Sequence, residues 1–358
     1  MADGIRGNRG GKGTSSTASL GGSYESGGSS VPGVRRLQSG YRWGMAELTK
    51  RDLPGLLRLA VQVPLLVAAL FAAVQFGAEG SPVLAVLAAA VAGLGLLCHF
   101  PSLHESGHGT AFRTRWLNES VAWGSAVLML QSPTFFREFH WEHHRHTQDP
   151  LRDPEIAAMP ALLSPFPRNP LVYLLLASGQ SLLLGKALFT VGALGAVSEA
   201  SFARLFPWVR PHIRRRVRWE SGLVVLTLGG AATLGLLYVE GFAWALLAWP
   251  FAHLYMGLFV MAEHTGLPHE GTQLQRTRTT RSNPIVRFLM WNMNLHAEHH
   301  AHPAVPFHAL PALRGELEAS VEHQSRGFFA FHAEALSYAL GIGRKSQPGE
   351  PRVAARLR

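Results

Sequence analysis

Four apolar runs, arranged as two close pairs, set the frame for this chain. Residues 56–78 and 82–100 are each near the roughly 20 residues that a helix needs to cross a bilayer, and only the AEGSP link separates them. Residues 223–238 and 242–261 repeat the pattern around Val239, Glu240 and Gly241. Neither link carries Lys or Arg. Basic residues gather instead before each pair: Arg35, Arg36, Arg42, Lys50, Arg51 and Arg58 before the first, and RLFPWVRPHIRRRVRW before the second. Because Lys and Arg mark the cytoplasmic side, both pairs read as hairpins that enter and return on that side. Strand alternation and solenoid repeats are absent from the sequence, so the fold class is all-α, an integral membrane helical protein with four transmembrane helices.

A fifth apolar stretch, 171–197, tests this topology. It is long enough to span, yet both of its flanks are expected on the cytoplasmic side, which a single crossing would violate. It also contains Gln180, Lys186 and several Gly and Ser residues. It is therefore expected to lie in the interface or to dip in and return. The alternative splits it into a tight hairpin, for six crossings. Residues 1–45 are rich in Gly and Ser and are expected to be a disordered tail, with no apolar stretch of a secretory signal. The membrane domain is expected over 46–325, followed by a helix and basic tail over 326–358.

Composition agrees with a membrane protein. The chain is 47% hydrophobic and 16% charged, against about 25% charged for an average soluble protein. The formal net charge is +10, but the cations flank apolar runs rather than forming a surface that reads bases or tracks phosphates. No nucleic acid is expected as a partner. With Cys98 as the single cysteine, a disulfide framework within the chain is impossible and a cysteine-based metal site is not expected.

Histidine is the anomaly, with 18 copies. Three clusters stand out: His104 and His108 in HESGH, His140, His143 and His144 in HWEHH, and His296, His299 and His300 in HAEHH. Spacings of three and four put side chains on one face of a helix, a turn apart. Each cluster can aim two or three imidazoles at one point, and imidazole suits iron, zinc, copper and nickel. One such cluster alone is commonly structural. Three of them on the cytoplasmic side of the hairpins point to metal. His264, just past the fourth run, can complete the set, and nine candidates suit two ions better than one. His253 is the polar exception noted within the runs. A transporter would be expected to carry polar ligands midway through its spans, so a metal transporter or a zinc-dependent membrane hydrolase is the rival class.

HESGH, HWEHH and HAEHH resemble the three histidine boxes of the membrane fatty acid desaturase superfamily. EHTGL is similar to the extra histidine motif of that superfamily and of the related alkane hydroxylases, and HHRHTQDPLRDPE and WNMNLHAEHHAHPAVPFHALPALR also resemble its bacterial members. The resemblance covers about residues 50–325. It implies an oxidoreductase with two iron ions and O₂ as cosubstrate, held in a cytoplasmic helical cap. By position, the metal ligands it implies are His104, His108, His140, His143, His144, His264, His296, His299 and His300. The implied reaction is desaturation of a fatty acyl chain, with hydroxylation of a lipid, alkane or specialised metabolite as the alternative, because both outcomes use the same ligands. The implied location is the bacterial inner membrane. The sequence shows no dinucleotide fingerprint, haem domain or iron–sulfur cysteine set, so electrons are expected from a separate ferredoxin, rubredoxin or cytochrome.

Around the boxes, Glu105, Glu142, Glu263 and Glu298 are read equally as partners that orient ligand imidazoles and as solvated helix faces. Asp149, Asp153 and Glu155 are read first as turn caps. Cys98 and His99 are read as packing, and His146, His302 and His308 as lying outside the ligand set. Asn292 and Asn294 are noted and not assigned.

Overall fold

The computed structural model describes residues 49–157, 166–196 and 198–342. The expected Gly/Ser tail, the basic residues Arg35, Arg36 and Arg42, and the end of the chain beyond residue 342 lie outside them. The regular elements of the described part are helices apart from one two-residue parallel strand pair.

The first hairpin is α1 (Leu53–Ala78) and α2 (Pro82–Leu97), and the second helix continues through Cys98 into α3 (His99–His108). Residues Pro82–His108 thus form one long apolar helix. The helix thus runs past residue 100, and the first histidine cluster rides on its last turns. Then come α4 (Arg115–Leu128), α5 (Pro133–His146) and the short α6 (Pro154–Ala157). The fifth apolar stretch forms α7 (Pro170–Ala177) and α8 (Gln180–Gly195), bent by 59° at their break. After α9 (Glu199–Leu205), the second hairpin is α10 (Arg214–Tyr238) followed by α11 (Phe242–Leu246) and α12 (Ala248–His264). The remainder is α13 (Gln273–Arg276), β1 (Thr279–Thr280), α14 (Pro284–Leu289), α15 (His296–Ala301), α16 (Leu310–Leu317), β2 (Gln324–Ser325) and α17 (Phe328–Ala339). Four helices are long and apolar enough to cross a membrane, and the bent pair makes a fifth candidate.

The hairpins pack through α1, α2 and α12. Leu66, Ala69, Ala92, Leu96, Ala252 and Met256 meet in the main core cluster. Small residues allow this close approach, as is usual between helices in lipid. A Cβ on Gly93 would lie 2.5 Å from that of Phe251. The outward faces keep large apolar side chains exposed, among them Val67 and Phe71 on α1 and Leu226 and Leu237 on α10. In water such a surface would be costly; in a bilayer it is the contact surface with lipid.

Several polar contacts fix where the histidine-bearing helices stand. Ser132 and Pro133 start α5, with the Ser132 hydroxyl accepting from the Phe135 amide. Glu220 of α10 then accepts from the Ser132 hydroxyl (2.6 Å), the Thr134 amide (2.9 Å) and the Thr134 hydroxyl (2.8 Å), which ties α5 to the second hairpin. Before α15 the chain turns through Trp291 and Asn292, both at positive φ, an uncommon conformation away from glycine. Gln62, inside the first span, holds that turn. Its amide donates to the Leu289 carbonyl, and its carbonyl accepts from the Trp291 indole at 3.1 Å. Gln62 is thus a fully buried polar side chain within a span, as His253 is.

A candidate metal centre at the end of the helices

All nine histidines singled out in the sequence come together. His104 and His108 stand on α3, His140, His143 and His144 on α5, His264 at the end of α12, and His296, His299 and His300 on α15. They separate into two adjoining groups. One holds His104, His108, His140, His144 and His299; the other holds His143, His264, His296 and His300. Within each group, one nitrogen per residue lies within 4.8 Å of all the others.

The shortest separations run between Nε2 atoms. They are 2.9 Å for His108–His140, 3.0 Å for His140–His144 and 3.3 Å for His144–His299 in the first group, and 2.9 Å for His264–His296 in the second. Two histidine nitrogens bound to one metal at about 2.0–2.1 Å each have separations of this order. His104 Nε2 and His300 Nε2 are buried with no hydrogen-bond partner. Buried lone pairs aimed at one another are unfavourable unless something between them accepts their electrons. A cation in each group meets that demand, so the residues fit two metal ions.

Electrostatics favour the neutral imidazoles that metals require. Burial, reinforced by the neighbouring rings, holds His140, His144, His296 and His300 well below the ordinary histidine value. Burial likewise pushes His299 down to about 3. His143 differs. Burial works against its cation, but the Asp153 and Glu155 carboxylates outweigh it and push it up to about 9.

Those carboxylates grip the outer nitrogen of the ring. His143 Nδ1 lies 3.0 Å from both Asp153 oxygens and 3.0 Å from Glu155 Oε2. Asp153 also caps its turn, accepting from the Gln148 and Glu155 amides, so the capping role expected from sequence is half of what it does. Other outer nitrogens are similarly placed. His104 Nδ1 lies 3.2 Å from Glu105, which is itself held by the Thr110 hydroxyl at 2.8 Å. His264 Nδ1 donates to the Arg276 carbonyl at 3.1 Å. His296 Nδ1 faces Glu263 at 3.4 Å, and His300 Nδ1 lies 3.3 Å from Thr147.

The four box glutamates therefore divide. Glu105 and Glu263 stand against ligand candidates. Glu142 pairs with Arg145 and His146 on an open helix face. Glu298 is buried but bonds to Thr279 and faces Arg314. Cys98 and His99 pack in the interior. Asn294 donates to the Thr280 carbonyl, Asn292 to that of Phe307. Thr110, Thr147, Gln148 and Arg276 also support the site. Thr110 acts locally through Glu105, and Thr147 and Gln148 stand in the HHRHTQDPLRDPE stretch, but the contacts of Thr147 with His300, of Gln148 with the His264 carbonyl and of Arg276 with the Thr147 carbonyl join distant segments that only the fold brings together.

An apolar cavity of about 320 Å³ opens beside the histidines. Phe135, Phe136, Phe139, Phe189 and Val260 form much of its wall, and His104, His140, His143 and His296 border it.

A family model described as fatty acid desaturase matches residues 81–332. The chain is 28% identical over 224 residues to a beta-carotene 4-ketolase from Haematococcus lacustris, covering 60% of this chain and 57% of that protein. It is 26% identical over 233 residues to a sphingolipid delta(4)-desaturase from Komagataella phaffii, covering 60% of this chain and 56% of that one. The chain thus matches a little over half the length of these relatives.

Proposed function

As a member of the fatty acid desaturase family, this membrane protein is one in which we propose that the nine histidines hold two iron ions, and that it uses O₂ to desaturate a fatty acyl or similar lipid-like chain. The observation that carries this reading is the division of the histidines into groups of five and four at the wall of an apolar cavity. Bound there, two irons with O₂ would supply what side chains lack, an oxidant able to break an unactivated C–H bond.

The chain's own residues do the rest. Asp153, Glu155, Glu105 and Glu263 fix the orientation of ligand rings from behind, as outer partners of metal-bound histidine do. The phenylalanine wall excludes water and holds an alkyl chain against the histidines. Placement of that chain, on a scale of about 1 Å, decides which hydrogen is removed. The basic flanks at Lys50 and Arg51 and at Arg214–Arg218 support an orientation with the metal end in the cytoplasm, and the reading puts the chain in a bacterial inner membrane. An acidic ferredoxin, rubredoxin or cytochrome suits such a surface as electron donor.

Hydroxylation is the second reading, and the similarity to a ketolase favours keeping it. Lipid and metabolite mass spectrometry of cells with and without the chain separates the two. A product lighter by two hydrogens supports desaturation, and one heavier by one oxygen supports hydroxylation. Unchanged profiles under O₂ with a working electron donor would contradict both.

A further inference from the structure

The cavity is apolar but not uniformly so. Lys186, on α8, lines it. A lysine near a membrane surface normally extends its ammonium to water. Here Nζ contacts the Met256 sulfur at 3.4 Å and sits 5.8 Å from the Phe100 ring centroid. Among the described residues no carboxylate pairs with it. Two more polar groups on the same wall lack partners: Gln131 Nε2 and Ser181 Oγ are buried without a hydrogen bond. The carboxylates that border the cavity, Glu155 and Glu263, stand at its histidine end against His143 and His296.

Lys186, Gln131 Nε2 and Ser181 Oγ can all donate hydrogen bonds, and Lys186 can carry a positive charge. A desolvated cation with no counter-charge is costly, and a few placed polar groups are what orient a ligand in an apolar pocket. We propose that this wall receives a carboxylate borne by the apolar substrate, with Lys186 as its counter-ion and Gln131 and Ser181 as further donors. The proposal rests on the reading of the cavity as the substrate site. It makes Lys186 a specificity-determining residue and sets plain hydrocarbons aside.

The position is also close to the metal candidates. Phe100, against which Lys186 lies, has its ring centroid 6.5 Å from that of His104. The ammonium and the His104 ring are therefore separated by no more than the sum of that length and the 5.8 Å from Nζ to Phe100. The polar end of the substrate would be recognised inside the cavity, beside the reacting region, and not at a distant mouth.

Photoaffinity competition on the full chain in lipid nanodiscs tests this. A diazirine analogue of hexadecanoic acid is crosslinked, and the labelled peptides are mapped. Hexadecanoic acid, methyl hexadecanoate, hexadecane and hexadecyl phosphate compete. The expected result is labelling of α5 or α8, with the acid competing at least about tenfold better than the ester or the hydrocarbon, as suits a charge-assisted hydrogen bond. Lys186→Met should abolish that preference and Lys186→Arg should keep it. Equal competition by acid, ester and hydrocarbon in the unaltered chain would overturn the proposal, as would a preference that survives Lys186→Met. A stronger effect from hexadecyl phosphate would overturn the carboxylate assignment. Iron content of the same samples reports separately on the proposed function. Acid preference without iron would sink the enzymatic reading alone, and iron without acid preference would sink this one alone.

Discussion

The contact between His143 and Asp153 shows what single residues contribute. The ring belongs to a motif, but its orientation comes from a fully buried carboxylate ten residues on. Asp153→Ala is expected to weaken metal binding about 10–100-fold, measured by metal titration, with Asp153→Asn intermediate because one acceptor oxygen remains. Unchanged affinity would remove Asp153 from the site. The histidines also predict a pH dependence for the metal-free protein. An unfolded histidine takes up a proton near pH 6.5, whereas His140, His144, His296, His299 and His300 resist it in the folded state. Below about 6.5 the unfolded chain therefore binds more protons, and stability falls as the pH drops. His143 acts in the opposite sense. Its contribution is present below the unfolded value and is lost as the pH rises through about 9. His302, His308, His323 and His332, also held down by burial, act with the five, while Glu155 and Glu298, held up by burial, act with His143. The buried histidines outnumber their opponents on the acid side, so the metal-free protein should melt at a lower temperature at about pH 5 than at about pH 7.5. Equal melting temperatures would contradict the burial of these rings as neutral groups. Eight of the nine histidines were legible because their spacing is helical, and His264 because it follows the fourth apolar run. Lys186 was legible only as a charge that weakened an apolar stretch, since nothing in the sequence says which way a lysine turns.

Among the elements, the break between α7 and α8 matters most for the cavity. Gly179 adopts φ +65° there, and a Cβ on it would lie 1.6 Å from the His253 carbonyl oxygen. Gly257 of α12 meets it, and a Cβ there would lie 2.6 Å from the Gly179 nitrogen. This backbone-to-backbone contact brings α8, with Ser181, Leu182 and Lys186, against the histidine-bearing end of α12. Gly179→Ala combines left-handed strain with a backbone clash and is expected to cost at least about 2 kcal/mol. The cost should appear as a lower melting temperature and as loss of ligand labelling on α8. Unaltered melting and labelling would show that the close approach is not needed. The basic flanks on both sides of 171–197 argue against a simple span, and the bent pair agrees with irregularity there. The angle, and the glycine pair that sets it, depend on α12, some 70 residues away in the chain, and no local pattern encodes them. The opposite holds for α1, α2, α10 and α12, whose unbroken apolar runs and basic flanks are local properties.

For the molecule as a whole, lipid-facing helices carry a polar centre on one end. Greasy outer faces, small residues between helices and polar tethers such as Gln62 and Glu220 serve one outcome, holding α3, α5, α12 and α15 so that their last turns converge. Composition and motifs made the class of protein and the set of histidines readable. The partition into five and four was not readable, because adjacent residues of one cluster go to different groups. His143 joins one, and its neighbour His144 the other. Whether nine histidines hold two irons is decided by metal analysis of the active, purified protein beside two variants, one from each group. Two irons per chain are expected, with a loss of about one in His144→Ala and of about one in His300→Ala, and loss of O₂-dependent turnover in both. Active protein that contains zinc and no iron, or full iron content and turnover in either variant, would contradict that assignment.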